Sequence, residues 1–178
     1  ALVIGNVGRF TRQKGPTYLI GAMARVVKYY PNCHLLLVGD GELRERIEEQ
    51  VTRENLNSHV HFLGARSDVE EILQTMDLFV SSSLWEGLPT VILEAMAAHV
   101  PVICTAVSGS SELVENGRTE LIVWPGSGDT LAEAILNLLG STDQARRMAD
   151  TAYTYARRFS IDKVAAEYNR LFMVFANP

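Results

Sequence analysis

The chain has 178 residues, 47% of them hydrophobic, which is enough for one substantial core. Its net charge of -5 argues against a general nucleic-acid-binding surface. No apolar run approaches the roughly 20 residues that cross a bilayer, so membrane insertion is not expected. We predict a single domain over residues 1–178 and two reduced core cysteines, Cys33 and Cys104. Such cysteines indicate a cytoplasmic location, which leaves peripheral association of a full-length protein with a membrane open.

Six short apolar runs alternate with helix-like segments along the chain. Several runs, such as LLLV in the second, are continuously apolar, as is typical of strands covered on both faces. The pattern predicts an α/β fold with a doubly wound, mostly parallel six-stranded sheet and C-terminal helices. The apolar runs are 2–7, 33–39, 60–64, 77–83, 101–106 and 120–124; the helix-like segments are about 17–30, 42–54, 68–74, 89–98 and 109–116, with only helices from about 128.

The first run is followed by a basic, glycine-containing loop, GNVGRFTRQKG. Residues 1–39 contain no Asp or Glu and carry five Lys or Arg, so an anionic ligand would be drawn to this part of the chain. Gly8 allows a tight backbone, and the guanidinium of Arg9 with the ammonium of Lys14 suits a diphosphate. An ordinary solvated basic loop is the alternative.

The second run is followed by VGDGELRER, which is half of a dinucleotide fingerprint. Gly39 and Gly41 are present, but Arg44 occupies the place of the third glycine, so NAD binding is weakly supported. A turn that lets a ligand approach closely and a purely structural turn both remain open.

The third run ends in a loop containing Ala65 and Arg66, which would lie at the ligand crevice beyond the strands. Asp68 or its neighbour Ser67 is suited to cap the next helix. Two histidines, His59 and His61, point to one face of the third strand. Packing or solvent exposure is favoured for them over a metal site, because no third ligand is evident.

The segment SSSLWEGLPTVILEAMAAHVP, residues 81–101, carries Glu86 and Glu94 without any Lys or Arg. Pro89 is suited to the start of a helix, whose free amides would favour an anion. The apolar neighbours of Glu94 predict its burial, so it needs sugar hydroxyl donors or a distant basic partner. Hydroxyls are favoured, with an ion pair to an arginine as the rival. A glycosidase acid/base pair fits poorly beside a diphosphate-binding loop.

These stretches together resemble the C-terminal, donor-binding domain of a family 4 (group 1) glycosyltransferase. The resemblance rests on GRFTRQKG, VGDGELRERI, VHFLG, WEGLPTVILEAMAAHVPVI and SGSSELVENG, and it extends from Leu2 to about Tyr168. It implies the second domain of a GT-B fold and retaining, metal-independent transfer from a nucleotide-diphospho-sugar such as a UDP- or GDP-sugar, without a cofactor. It also implies that a missing N-terminal domain holds a sugar, lipid or other acceptor, so the isolated domain would be inactive.

The resemblance also implies roles for individual residues. Arg9, Lys14 and Glu86 would be the catalytic groups, with the two cations on the diphosphate and Glu86 on the donor sugar. Glu94 would hold the ribose. The other donor-binding positions are Gly8, Gly39, Ala65, Arg66, Gly87, Leu88 and Thr90.

The chain departs from the family pattern at two places. Ser108 precedes Gly109 where two glycines are common before Glu112, and Glu120 replaces a common glycine. Two other functions remain open: a non-catalytic nucleotide-sensing module, and half of a nucleotide-sugar epimerase. The first would be favoured by a gene without an upstream Rossmann-like domain, and the second needs no acceptor.

Overall fold

The computed structural model describes residues 1–108 and 118–176. Its six strands are β1 (Leu2–Val7), β2 (Cys33–Val38), β3 (Val60–Gly64), β4 (Leu78–Ser81), β5 (Val102–Thr105) and β6 (Leu121–Val123). They form one sheet of order β3-β2-β1-β4-β5-β6, and every pairing is parallel. This is the Rossmann strand order, so all six predicted strands and the doubly wound fold are confirmed.

The described helices cover both faces of this sheet. They are α1 (Pro16–Tyr29), α2 (Arg44–Arg53), α3 (Val69–Leu73), α4 (Thr90–Ala97), α5 (Gly128–Leu139), α6 (Thr142–Ala156) and α7 (Ile161–Ala176), with a 3₁₀ turn at Arg157–Phe159. The first face packs against α1, α2 and α5, and the second against α3, α4 and α6. The helix predicted at about 109–116 lies outside the described residues.

The sequence of α1 shows why the helices pack as they do. Its buried apolar residues recur with helical spacing and include Leu19, Ile20, Met23 and Val26, so they form one stripe against the sheet. Both cysteines are buried free thiols, as predicted.

The last helix, α7, differs from the others because most of its apolar residues are exposed. Leu171, Phe172 and Phe175 have 55%, 62% and 75% of their surface accessible. A groove of about 570 Å³ runs beside the helix and is lined partly by Phe159 and Tyr168. None of the described helices combines the length and hydrophobicity that a membrane span requires.

Candidate functional site

The loops after β1 and β4 are joined at the carboxyl edge of the sheet, where these two strands are neighbours. The backbone N–H of Leu84 donates to the carbonyl of Gln13 at 2.7 Å. The Ser82 hydroxyl donates to the carbonyl of Lys14 at 2.9 Å, and the Gln13 side-chain amide donates to the carbonyl of Trp85 at 3.1 Å. These hydrogen bonds fix the two loops against each other.

Gly15 allows this close approach. Its backbone is left-handed, with φ +59°, and a Cβ added there would lie 2.3 Å from the carbonyl oxygen of Ser82. Only glycine fits both conditions. Gly15 was not among the predicted site residues, although its position directly before Pro16 and a predicted helix was an available signal.

Lys14 and Glu86 meet where these loops touch. The Lys14 ammonium lies 2.6 Å from Glu86 Oε1, and the Ser83 hydroxyl donates to the same oxygen at 2.6 Å. The Gln13 amide is 3.5 Å from Oε2. The Glu86 side chain is only 6% exposed. Glu86 therefore has a protein cation as its partner, because Lys14 reaches it across the β1–β4 junction.

Arg9 lies in the same loop as Lys14 but is exposed, and within the described ranges it forms no ion pair or hydrogen bond through its side chain. Gly8 packs against the Lys14 stem, since a Cβ there would lie 3.5 Å from Lys14 Cδ. The structure therefore leaves the Arg9 guanidinium available to an anion.

The backbone at position 39 requires a glycine. Its φ is +130°, and a Cβ there would lie 2.1 Å from the carbonyl oxygen of Gly8. Its N–H donates to the carbonyl of Gly64 at 2.7 Å. The glycine is thus required where the loops after β1, β2 and β3 meet, which favours the structural-turn interpretation.

Helix α4 begins at Thr90, with Pro89 in the N-cap position rather than in the first helical position. The N–H groups of Gly87, Leu88 and Val91 have no acceptor among residues 1–108 and 118–176. The predicted amide of Thr90 is already used, because it donates to the carbonyl of Leu88 at 3.0 Å. Donor binding by Thr90 stays a prediction, and within the described ranges the N–H of the next residue, Val91, has no acceptor.

Glu94 is exposed, so the prediction of its burial is wrong. Helix α4 turns Ile92, Ala95 and Met96 into the core, and a residue at position 94 then falls on the opposite side. Glu94 lines a groove of about 340 Å³ between α3 and α4 and has no ion-pair or hydrogen-bond partner for its side chain in the part of the chain that is described. Lys14 and Glu86 do not line this groove.

Ala65 and Arg66 follow the end of β3 and are exposed. The Arg66 guanidinium donates two hydrogen bonds to Asp68, at 2.7 and 2.5 Å. This hydrogen bonding raises the pKa of Arg66 and lowers the pKa of Asp68. Asp68 occupies the N-cap position of α3, but its carboxylate binds Arg66 instead of capping the helix.

The replacement of a family glycine by Glu120 puts a carboxyl group in the core. Glu120 is 0% exposed, and neither carboxylate oxygen has a hydrogen-bond partner of normal geometry among the described residues. Burial raises its pKa to about 8, an effect that the neighbouring Cys104 thiol reduces. Gly109 and Glu112, the other departure, lie outside the described residues.

The histidines form a cluster that the sequence analysis did not foresee. His34 Nδ1 lies 3.1 Å from His61 Nε2, and the His59 ring donates from Nδ1 to the carbonyl of Cys33 at 3.0 Å. A search of the described residues finds no group of three or more His, Cys, Asp or Glu side chains arranged to hold a metal ion.

Comparison with known proteins supports the resemblance. Residues 1–155 match the family model for glycosyl transferases, group 1. A lipopolysaccharide core biosynthesis glycosyltransferase, LpsE of Rhizobium meliloti, is 33% identical over 96% of this chain and 49% of its own length. The chain spans half or less of the length of such curated relatives.

Two solved structures show the same fold. The Anabaena protein Alr3699/HepE, in complex with UDP-glucose, superposes with a TM-score of 0.91 at 30% identity, covering 97% of this chain and 49% of that one. The C-terminal domain of a Francisella tularensis group 1 glycosyl transferase, LpcC, gives a TM-score of 0.82 at 25% identity, covering 90% and 87%. The chain therefore belongs to the group 1 glycosyl transferase family and corresponds to the C-terminal domain of its members.

Proposed function

We propose that the chain binds a nucleotide-diphospho-sugar as the donor half of a retaining, metal-independent glycosyltransferase of family 4. The observation that supports this most is the Lys14–Glu86 pair. It places a cation suited to phosphate beside a carboxylate suited to sugar hydroxyls. A nucleotide-diphospho-sugar has a matching arrangement, because its phosphate group is directly attached to a sugar ring with hydroxyl groups. UDP-sugars are the first candidates, because the similar HepE was solved with UDP-glucose.

During transfer the bond between the sugar and the diphosphate breaks, and the departing nucleoside diphosphate gains negative charge. Arg9, Lys14 and the free amides of Gly87 and Leu88 are fixed positive groups suited to that charge. In our proposal they replace a divalent metal ion. The absence of any Asp-x-Asp pair from the sequence agrees with this.

Glu94 is proposed to bind the ribose. Its carboxylate has no described partner and lines the groove between α3 and α4, so its two oxygens are able to accept the vicinal hydroxyls of a ribose. Ala65 lies at the end of β3 and is proposed to lie beside the base.

An N-terminal domain is proposed to complete the enzyme and to hold the acceptor. The length of the relatives and the exposed apolar side of α7 support this. The chain alone should therefore bind donor without transferring sugar.

The chain should also self-associate through α7 as its concentration rises in sedimentation experiments. The triple variant Leu171→Ser, Phe172→Ser, Phe175→Ser should abolish this self-association. A chain that stays monomeric at high concentration would contradict this use of α7.

The direct test is calorimetric titration of the folded chain with UDP, GDP and ADP, with and without EDTA. We expect one nucleoside diphosphate to bind, and its affinity to be unchanged by EDTA. Silence with all three in a sample that unfolds cooperatively would refute the proposed function. Loss of binding in EDTA would refute metal independence alone. Retention of configuration is tested by determining the anomeric linkage of the product formed by the complete enzyme.

A further inference from the structure

The two carboxylate oxygens of Glu86 have unequal surroundings. Oε1 accepts two short hydrogen bonds, from the Lys14 ammonium and from the Ser83 hydroxyl, each at 2.6 Å. Among residues 1–108 and 118–176, Oε2 has only the Gln13 amide at 3.5 Å, the limit of a hydrogen bond. Oε1 is therefore occupied by the protein, and Oε2 is the oxygen with capacity left for a ligand.

Ser83 is the more rigid of the two donors to Oε1. It is 1% exposed, and its carbonyl oxygen accepts a hydrogen bond from the Thr105 hydroxyl at 2.5 Å. This bond connects the end of β4 to the end of β5. Lys14, in contrast, has a long side chain that is 26% exposed, and in the proposed function it also binds phosphate. When a phosphate binds the Lys14 ammonium, the Ser83 hydroxyl is the group that holds Glu86 Oε1 in place.

We propose that Ser83 is a positioning residue that holds Glu86 Oε1, so that Oε2 accepts a hydroxyl of the donor sugar. This rests on the proposed function, in which Glu86 binds the sugar. A hydroxyl has one proton to donate, and an ionised carboxylate only accepts, so the direction of the Ser83–Glu86 hydrogen bond is fixed. The role is specific to the sugar end of the donor, because Ser83 has no hydrogen bond to Arg9 or to Lys14 in the described structure.

The test compares the affinity for UDP-glucose with that for UDP in the same chain by calorimetry. The ratio of the two affinities isolates the contribution of the sugar. Ser83→Ala should reduce this ratio about tenfold, the order of one charge-assisted hydrogen bond, and should leave the affinity for UDP within about twofold. Ser81→Ala is the matched control, because it removes another buried hydroxyl, two residues earlier at the end of β4, that does not contact Glu86. It should leave the ratio unchanged.

Ser83→Cys provides a second variant of similar volume, in case the alanine variant does not fold. Its thiol is a weak donor, so it should reduce the ratio in the same way. The inference is overturned if a folded Ser83 variant keeps the wild-type ratio, if UDP affinity falls as much as UDP-glucose affinity, or if Ser81→Ala has the same effect. A wild-type chain that binds UDP-glucose no better than UDP, or binds neither, would instead refute the sugar-binding part of the proposed function, and with it the inference.

Discussion

Gly15→Ala should destabilise the domain because two separate requirements for glycine coincide at this position. The left-handed backbone costs an alanine about 1–2 kcal/mol. The new Cβ would lie 2.3 Å from the carbonyl oxygen of Ser82, so the loops after β1 and β4 would have to move apart. That movement would weaken the Leu84–Gln13 and Ser82–Lys14 hydrogen bonds, each worth about 1 kcal/mol.

The sum is about 3–4 kcal/mol, from which the lower entropy of an unfolded alanine chain subtracts about 0.4–1 kcal/mol. A net loss of about 2–3 kcal/mol corresponds to a decrease in Tm of roughly 5–10 °C for a domain of this size. Thermal unfolding followed by circular dichroism measures it, and urea unfolding gives the free energy independently.

Gly87→Ala is the matched control, because no heavy atom of the described residues lies within 4 Å of a Cβ added there and its φ is not in the left-handed region. We expect its Tm to stay close to wild type. If the alanine variants of Gly15 and Gly87 unfold within about 2 °C of each other, the close contact between the two loops is not a source of stability.

Three further predictions concern ionisable residues. Lys14→Ala should weaken UDP binding by roughly tenfold or more, because a charge-assisted contact is lost. Glu86→Gln should leave the affinity for UDP equal or higher, because the carboxylate that competes for Lys14 is gone. The same variant should reduce the ratio of UDP-glucose affinity to UDP affinity. Calorimetry that shows equal losses of UDP affinity for both variants would contradict these roles. Glu94→Gln should weaken binding of UDP and UDP-glucose by the same factor, since the ribose is common to both; a change confined to UDP-glucose would place Glu94 at the sugar. The pKa of Glu120 is raised to about 8, so the folded state keeps a proton that the unfolded chain loses above about pH 4.5. The free energy of unfolding should therefore fall as the pH rises from about 4.5 to 8. Glu120→Gln should flatten this fall and be the more stable protein at pH 8.5 in urea unfolding, and parallel pH profiles would count against a buried, protonated Glu120.

The strands were predictable because each is a short apolar run, and the strand order then followed a known architecture. The contact between Lys14 and Glu86 was not predictable from spacing, because the residues are 72 positions apart and meet only where β1 and β4 are neighbours. The proposed role of Ser83 was not predictable from the sequence either, because it depends on how the sheet is assembled. Its carboxylate partner is only three residues away, but the buried strand end that orients the hydroxyl is a product of the sheet.

The error at Glu94 has a different origin. The prediction of burial used the uncharged helical neighbours of Glu94, which are Thr90, Val91, Ala97 and Ala98, but the structure leaves these residues exposed or half-buried. The structure buries one side only, around Ile92, Ala95 and Met96, and leaves position 94 on the outside. The helical neighbours alone could not show which side of α4 faces the core, and that side decides the exposure of position 94.

The Lys14–Glu86 contact gives the ligand-free protein a built-in counter-ion. An inorganic phosphate must compete with the Glu86 carboxylate for Lys14, and it has no sugar hydroxyls to donate to that carboxylate. In the proposed function, a sugar diphosphate takes the place of the carboxylate at Lys14 and supplies that carboxylate with hydroxyls at the same time. In the proposed function, the pair that binds the donor therefore also disfavours small inorganic anions, and it re-forms when the nucleoside diphosphate leaves.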